Sequence, residues 1–195
     1  MFITLYDAPE KRRRHAEGGI EHKFTEAAVM LAFASHLLTL STGGCVISIH
    51  PDGEHAKIFD IAAFLLARGF VREQAIGTTP YGGRYRRAEH TIIVNPSSGR
   101  GDVVGEIDGR RVVAECKGGT INSTHAGQKS RLRKGLAELV GQLMVREPAN
   151  ERQVAVLPYT TEVERLSLKL APRCKIAGIE IALVHADGTV SYVPG

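Results

Sequence analysis

The chain has 195 residues, of which 43% are hydrophobic and 24% charged; these proportions are typical of a globular domain and exclude a largely disordered chain. The formal net charge of +4 suits a polyanionic partner without proving one. Cys45, Cys116 and Cys174 are widely spaced and form no zinc-binding pattern, so we interpret them as reduced thiols of a cytoplasmic protein. We expect no signal peptide and no membrane span, because the longest apolar stretch, residues 27–40, is short and interrupted.

The first fifty residues are expected to extend the core. Residues 1–22, rich in charge and glycine, are predicted to form an irregular arm. Apolar periodicity predicts a helix over 24–40, and a β-branched run predicts a strand over 45–49. We therefore divide the chain into an N-terminal extension, 1–50, and a core domain, 51–195.

The next elements are a helix and a basic strand. Apolar residues at helical spacing predict a second helix over 54–68. After a glycine-rich link, residues 84–94 are predicted to form one strand whose first half is basic. The loop at 95–99 contains proline, serine and glycine and ends this part of the chain.

The second half of the chain alternates strands with helices. The predicted elements are strands at 102–107 and 110–117, a helix at 128–146, a strand at 153–157, a helix at 161–170 that ends before Pro172, and strands at 179–184 and 190–193. This order favours an α/β fold, a three-layer domain in which helices flank a central mixed β-sheet.

A hairpin in this half brings two carboxylates together. Asp108-Gly109 between two β-rich runs is typical of a two-residue turn, and the register that it sets places Asp102 opposite Glu115. Like charges directly across a strand pair repel, but a hard cation between them would make the pair favourable. Oxygen ligands of this kind suit Mg²⁺, and Mn²⁺ could substitute for it.

Lys117 lies on the same face of the hairpin as Glu115, two residues further on. An ammonium group there can position or help to deprotonate an attacking water and offset negative charge on phosphorus. Cys116 points to the opposite, apolar face, which argues against a thiol enzyme. The other interpretation is a solvated sheet face on which Lys117 simply neutralises Glu115.

At these residues the chain resembles the PD-(D/E)XK nuclease superfamily, since Asp102 is followed by twelve residues and then Glu115-Cys116-Lys117. The resemblance in element order covers residues 54–185. It implies a restriction-endonuclease-like fold and Mg²⁺-dependent hydrolysis of DNA that leaves a 5′-phosphate. In that role Asp102 and Glu115 would hold the metal, and Lys117 would act on the water. Gly101 departs from the proline of the family motif.

The resemblance also suggests supporting residues. Residues 59–70 resemble the first core helix of type IV restriction endonucleases, where an acidic residue often supports the metal site; Asp60 would match it, with Glu54 as a rival. Many relatives carry a polar residue on the helix after the lysine; Gln128 is the nearest candidate, and Gln142 lies further along the same helix. Glu26, on an earlier helix, is interpreted as a solvated residue.

Two groups of basic residues are candidate contacts for the DNA backbone. They are Lys129, Arg131, Arg133 and Lys134 at the start of the helix after the hairpin, and Arg84, Arg86 and Arg87 on what we expect to be a neighbouring strand. Such contacts would carry no base specificity. A charge run is also typical of a solvated helix face.

The sequence thus predicts a metal-dependent DNA endonuclease, in a setting of restriction, defence or repair. The alternative is a non-catalytic nucleic-acid-binding module on the same fold. Because many such nucleases pair to cut both strands, a homodimer is a further expectation of the resemblance.

Overall fold

The structure, a computed structural model, describes residues 1–6, 10–52, 58–146 and 150–195. The helices are α1 (Glu10–Arg13), α2 (Glu26–Leu40), α3 (Ile61–Leu66), α4 (Ala126–Met144) and α5 (Thr161–Ile176). The strands are β1 (Thr4–Tyr6), β2 (Glu21–Phe24), β3 (Val46–Ile49), β4 (Val71–Ala75), β5 (Gly83–Arg87), β6 (His90–Val94), β7 (Val103–Ile107), β8 (Arg110–Cys116), β9 (Gly119–Thr120), β10 (Glu151–Pro158), β11 (Ile179–Val184) and β12 (Val190–Tyr192).

Nine of the described strands form one sheet, in the order β12-β11-β10-β8-β7-β3-β6-β5-β4. β10 runs parallel to both β8 and β11, and β3 runs parallel to β6. The other neighbouring pairs are antiparallel. The prediction of an α/β fold with a central mixed sheet is therefore confirmed.

Helices cover both faces of this sheet, as the alternation along β10 shows. Val154 and Val156 belong to the apolar cluster that contains α2. Ala155 and Leu157, which point the other way, belong to the cluster that contains α4 and α5. Because successive strand residues face opposite sides, β10 is buried between two helical layers. No helix among the described residues is long and apolar enough to cross a membrane.

The N-terminal segment is more ordered than the predicted irregular arm. β1 pairs with β2, and β2 pairs with β9, so that a second, three-stranded sheet forms. In that sheet Lys23 lies opposite Thr120, only three residues after Lys117. The pattern in β2 is weak because Glu21 and Lys23 replace the apolar residues expected of a strand.

The predicted strand at 45–49 is confirmed as β3, which lies inside the main sheet, between β7 and β6. The predicted helix at 24–40 is confirmed as α2, with Thr25 as its N-cap. Ten residues of α2 are buried, so the helix belongs to the central core. A helix that is apolar on all sides has to be enclosed by the rest of the protein.

The predicted helix at 54–68 is wrong in its length. The helix that the structure describes is the short α3, and Asp60 is its N-cap. The Asp60 carboxylate accepts a hydrogen bond from the Ala63 N–H at 2.9 Å, which sets the helix start at Ile61. Residues 53–57 lie outside the described part of the chain.

The single strand predicted at 84–94 is instead the hairpin of β5 and β6, in which Arg87 lies opposite His90. Its turn contains Ala88 in a left-handed conformation, with φ 52°. Glycine or asparagine normally marks such a turn, and an alanine there leaves no signal in the sequence. β4 was not predicted either; it forms the edge of the sheet and is mostly exposed.

The helix predicted to end before Pro172 continues to Ile176. Proline removes one backbone donor, whose acceptor would be the carbonyl of Leu168. Leu168 is exposed, so water can satisfy that carbonyl. Meanwhile Ala171 and Cys174 are buried, and this apolar contact keeps the last turn on the sheet.

Candidate active site

The hairpin of β7 and β8 has the predicted register. Asp108 and Gly109 have φ angles of 48° and 77°, the conformation that a two-residue turn needs. Glu106 lies opposite Arg111, and Val104 lies opposite Val113. The pairing predicted from Asp108-Gly109 is therefore confirmed, and it brings the start of β7 beside the end of β8.

Asp102, immediately before β7, lies beside Glu115. Its Oδ2 accepts a hydrogen bond from the Cys116 N–H at 2.7 Å, and its carboxyl group is close enough to that of Glu115 for the two to interact. Burial raises the pKa of Asp102 to about 7; the charges of Glu115 and Glu26 add to this, and the Cys116 N–H opposes it. Two neighbouring carboxyl groups ionise together only where positive charge lies close to both of them.

Lys117 follows the pair, held between two acidic residues. Its Nζ lies 3.9 Å from Oε2 of Glu26 and 3.3 Å from Oε1 of Glu138 on α4. Burial alone would lower the pKa of Lys117, but these two carboxylates raise it above its usual value. Lys117 is therefore an ammonium ion at neutral pH and can donate hydrogen bonds, but it is not a base.

The structure corrects the interpretation of Glu26 as a solvated residue. Its side chain is only 15% exposed, is close enough to Lys117 for an ion pair, and raises the pKa of Asp102. A signal was present in the sequence, because Glu26 is the only acidic residue of a helix that is mostly apolar. A carboxylate on a buried helix needs a polar partner.

Arg146, two residues after the end of α4, was not predicted to be near the site. Its guanidinium forms an ion pair with Glu115, and the two side chains are 19% and 13% exposed. The Arg146 Nε atom is buried without a hydrogen-bond partner among the described residues. The Glu115 carboxylate therefore contacts both the Asp102 carboxyl group and the Arg146 guanidinium.

A cavity of about 370 Å³ opens over the carboxylate pair, and Asp102 and Glu115 line it together with His50, Asp52 and Gly101. The His50 N–H donates to the Asp102 carbonyl at 2.9 Å, which extends the contact of β3 with β7 to the edge of the site. The cavity could admit a phosphate group to the carboxylates.

Residue 101, where the motif that the chain resembles has proline, lies very close to β8. A Cβ atom at this position would lie 2.7 Å from Cγ1 of Val113 and 3.1 Å from the carbonyl oxygen of Ala114. Alanine and proline both carry such an atom. The close approach of residue 101 to β8 therefore requires glycine.

We expect Gly101→Ala to lower the free energy of unfolding by about 1–3 kcal/mol, because the added methyl group overlaps with β8. Urea denaturation would measure the change. Gly43→Ala is the matched control, since nothing lies within 4 Å of its added Cβ. Equal stability of the two variants would contradict the tight packing at residue 101.

The structure does not bring Asp60 to the carboxylate pair. Its carboxylate caps α3, and it does not line the cavity over Asp102 and Glu115. Glu54, its predicted rival, lies outside the described residues. Gln128 lines a second cavity together with Glu26, so it lies close to the site but on the Glu26 side.

The basic residues of the predicted second group are not on a strand next to β7. β3 and β6 separate β7 from β5, which corresponds to about 14 Å at the usual strand spacing. Arg84 and Arg86 pair with Glu73, at 3.7 and 3.5 Å. Arg87 lies over the ring of Phe70, 4.7 Å from its centroid.

The first basic group, on α4, is closer to the site. Arg131, Arg133 and Lys134 are all exposed, and of the three only Arg131 lines the second cavity with Glu26. Lys129 forms an ion pair with Glu162 of α5. Of the two groups, the one on α4 is therefore the better placed to contact a substrate at Lys117.

The donor set at Asp102 and Glu115 fits Mg²⁺ in its chemistry. This ion often takes one or two protein carboxylates and completes its shell with water and phosphate oxygens. Within the described ranges, no group of three or more His, Cys, Asp or Glu side chains is arranged to hold a metal ion. The structure thus offers a two-carboxylate site and not a full protein cage.

Comparisons of the chain with models of protein families, with curated proteins and with solved structures found no match.

Proposed function

We propose that this chain is a metal-dependent nuclease that hydrolyses phosphodiester bonds of DNA, on a restriction-endonuclease-like fold. The observation that carries the proposal is the close pair of Asp102 and Glu115 at the end of the β7–β8 hairpin, in which burial and neighbouring charge raise the pKa of Asp102 to about 7. A buried pair of this kind costs folding free energy. A cation that binds between the two carboxylates would remove that cost.

Asp102 and Glu115 would hold Mg²⁺ or Mn²⁺. The bound ion would polarise a phosphoryl oxygen and lower the pKa of a coordinated water. Lys117 stays protonated beside Glu26 and Glu138, so it orients the water through hydrogen bonds and offsets the negative charge that grows on phosphorus. Glu26 fixes the position of the ammonium group.

The proposal is tested by incubating supercoiled DNA with the protein and Mg²⁺ or Mn²⁺. We expect nicking by the wild type and none by Asp102→Asn, because asparagine cannot supply the same anionic ligand. Asp60→Asn is the matched control: asparagine caps a helix as well as aspartate does, and the Asp60 carboxylate is committed to Ala63. Loss of nicking in Asp60→Asn would make Asp60 a third ligand, as the family resemblance suggests.

One observation favours the alternative, a nucleic-acid-binding module without catalysis. Arg146 already supplies a cation to Glu115, and this contact could replace a metal ion. In that case the wild type would bind DNA and leave it uncut at every concentration of Mg²⁺ and Mn²⁺. The same nicking experiment, with a gel-shift measurement beside it, separates the two functions.

A further inference from the structure

A narrow basic cleft adjoins Lys117 on the side of Glu26. The cavity measures about 170 Å³, and its lining includes Arg12, Lys23, Glu26, Gln128 and Arg131; we call it the basic cleft. Gly118 and Gly119, the two residues after Lys117, also line it. Since Glu26 lines the cleft and lies 3.9 Å from Lys117, the cleft lies next to the candidate active site.

The cleft carries an excess of positive charge. Glu21 is 2% exposed and lies 3.6 Å from Arg12, and Glu26 is engaged with Lys117. Lys23 and Arg131 form no ion pair with any acidic residue in the part of the chain that the structure describes. Their charges are therefore available to an anionic ligand.

The position of these cations relative to Lys117 is well defined. β2 pairs with β9 so that Lys23 lies opposite Thr120. Gly118 allows this close approach, because a Cβ there would lie 2.6 Å from the backbone nitrogen of Glu26. Tyr6 supports the group from outside, with its ring centroid 5.3 Å from Nζ of Lys23 and 5.8 Å from the guanidinium carbon of Arg12.

The size of the cleft selects the kind of anion. Pockets for drug-sized ligands and cofactors measure about 300–1,000 Å³, and this cavity of about 170 Å³ is smaller. It has room for one phosphate group and not for a whole nucleotide. Arginine and lysine are the side chains that most often neutralise backbone phosphates.

We propose that the basic cleft binds a phosphodiester of the DNA strand that is cut. This phosphodiester is a neighbour of the scissile one in the same strand. This inference rests on the proposed nuclease function and gives the N-terminal segment a part in substrate binding. Lys23 and Arg131 neutralise the phosphate from two sides, β2 and α4. The strand then runs from the cleft past Lys117 to the cavity at Asp102 and Glu115.

The test is the salt dependence of DNA binding, measured without metal so that no cutting occurs. The variant is Lys23→Gln/Arg131→Gln, and its control with equal charge is Lys169→Gln/Arg173→Gln, which removes two exposed cations of α5. Each lost phosphate contact lowers the slope of log K against log salt concentration by about 0.9. We expect the slope to fall by about 0.9 in the cleft variant, which loses one phosphate contact, with roughly tenfold weaker binding near 0.1 M salt and the wild-type slope in the control.

Arg12 needs a separate design, because its removal alone would leave the buried Glu21 unpaired. Arg12→Gln is therefore combined with Glu21→Gln, and we expect a smaller loss in slope in the same direction. With Mg²⁺ present, the Lys23→Gln/Arg131→Gln variant should raise KM for DNA and leave kcat within about threefold. A purely structural defect would instead lower the folded fraction and kcat together.

Two outcomes would overturn the inference while the nuclease proposal stands. In the first, the wild type cuts DNA, but the cleft variant binds DNA with the same dependence on salt concentration as the control. The other is submillimolar binding of inorganic phosphate that is lost in the cleft variant, which would make the cleft a site for a small free anion. A wild type that cuts no DNA with either metal would remove the nuclease proposal, and the inference with it.

Discussion

Lys117→Met is expected to slow DNA cleavage by about 10²–10⁴-fold, the range typical for the loss of a positioned proton donor or of a charge that stabilises the transition state. The methylene groups of Lys117 pack near Gly135, since a Cβ added to Gly135 would lie 3.0 Å from Cγ of Lys117. Methionine keeps methylene groups at this contact. The variant therefore removes the charge more than the packing. Single-turnover cleavage of a labelled duplex would measure the effect.

Because the pKa of Lys117 lies above its usual value, the lysine stays charged across neutral pH. We expect no loss of cleavage between pH 7 and pH 9 that depends on this residue. Lys169→Met, which removes an exposed cation of α5, is the matched control and should cut at the wild-type rate. If Lys117→Met kept more than a tenth of the wild-type rate, Lys117 would only neutralise Glu26 and Glu138.

The hairpin could be predicted from sequence because its signal is local. Asp108 and Gly109 specify the turn, the turn specifies the register, and the register places Asp102 beside Glu115. Lys117 follows from the alternation of strand side chains. None of these steps needs information about distant parts of the chain.

The partners of these residues could not be predicted in the same way. Glu26, Glu138 and Arg146 come from elements far from the hairpin in sequence, and only the packing of α2 and α4 against the sheet brings them together. Their spacing carries no motif. The contribution of β2 was missed for the same reason, since its pairing with β9 is a tertiary contact.

The errors in the fold have a common physical cause. In each case a rule about which residues form turns or end helices was outweighed by a property of the folded protein that the sequence pattern does not show. Ala88 adopts the left-handed turn conformation without glycine, and α5 continues through Pro172 because Ala171 and Cys174, on either side of the proline, are buried.

Asp102→Asn is expected to stabilise the metal-free protein at alkaline pH while it abolishes metal binding. Burial raises the pKa of Asp102 from 3.8 to about 7, so the folded protein binds this proton more tightly than the unfolded chain does. The contribution of this proton to the free energy of unfolding is fully present below pH 3.8 and is lost as the pH rises through about 7. Asparagine cannot ionise, and its amide can donate to Glu115 while its oxygen accepts from the Cys116 N–H.

The expected gain is on the order of 2 kcal/mol above pH 8, or roughly 4–8 °C in Tm, and it should vanish near pH 4. Thermal unfolding between pH 4 and pH 9 would measure it. Mg²⁺ should raise the Tm of the wild type at pH 8 and leave that of Asp102→Asn unchanged, because a ligand stabilises only the protein that binds it. Asp60→Asn, which keeps its helix cap, should show neither effect.

The catalytic interpretation depends on a carboxylate pair that is unfavourable alone and favourable with a cation, and this experiment tests that property. A wild type that gains stability from Mg²⁺ as Asp102 ionises would show that the carboxylate pair is unfavourable alone and favourable with a cation. If Asp102→Asn were instead less stable than the wild type at every pH, Arg146 and the Cys116 N–H would already satisfy the pair. Asp102 and Glu115 would then be structural residues, and the function of the chain would have to be sought in binding and not in hydrolysis.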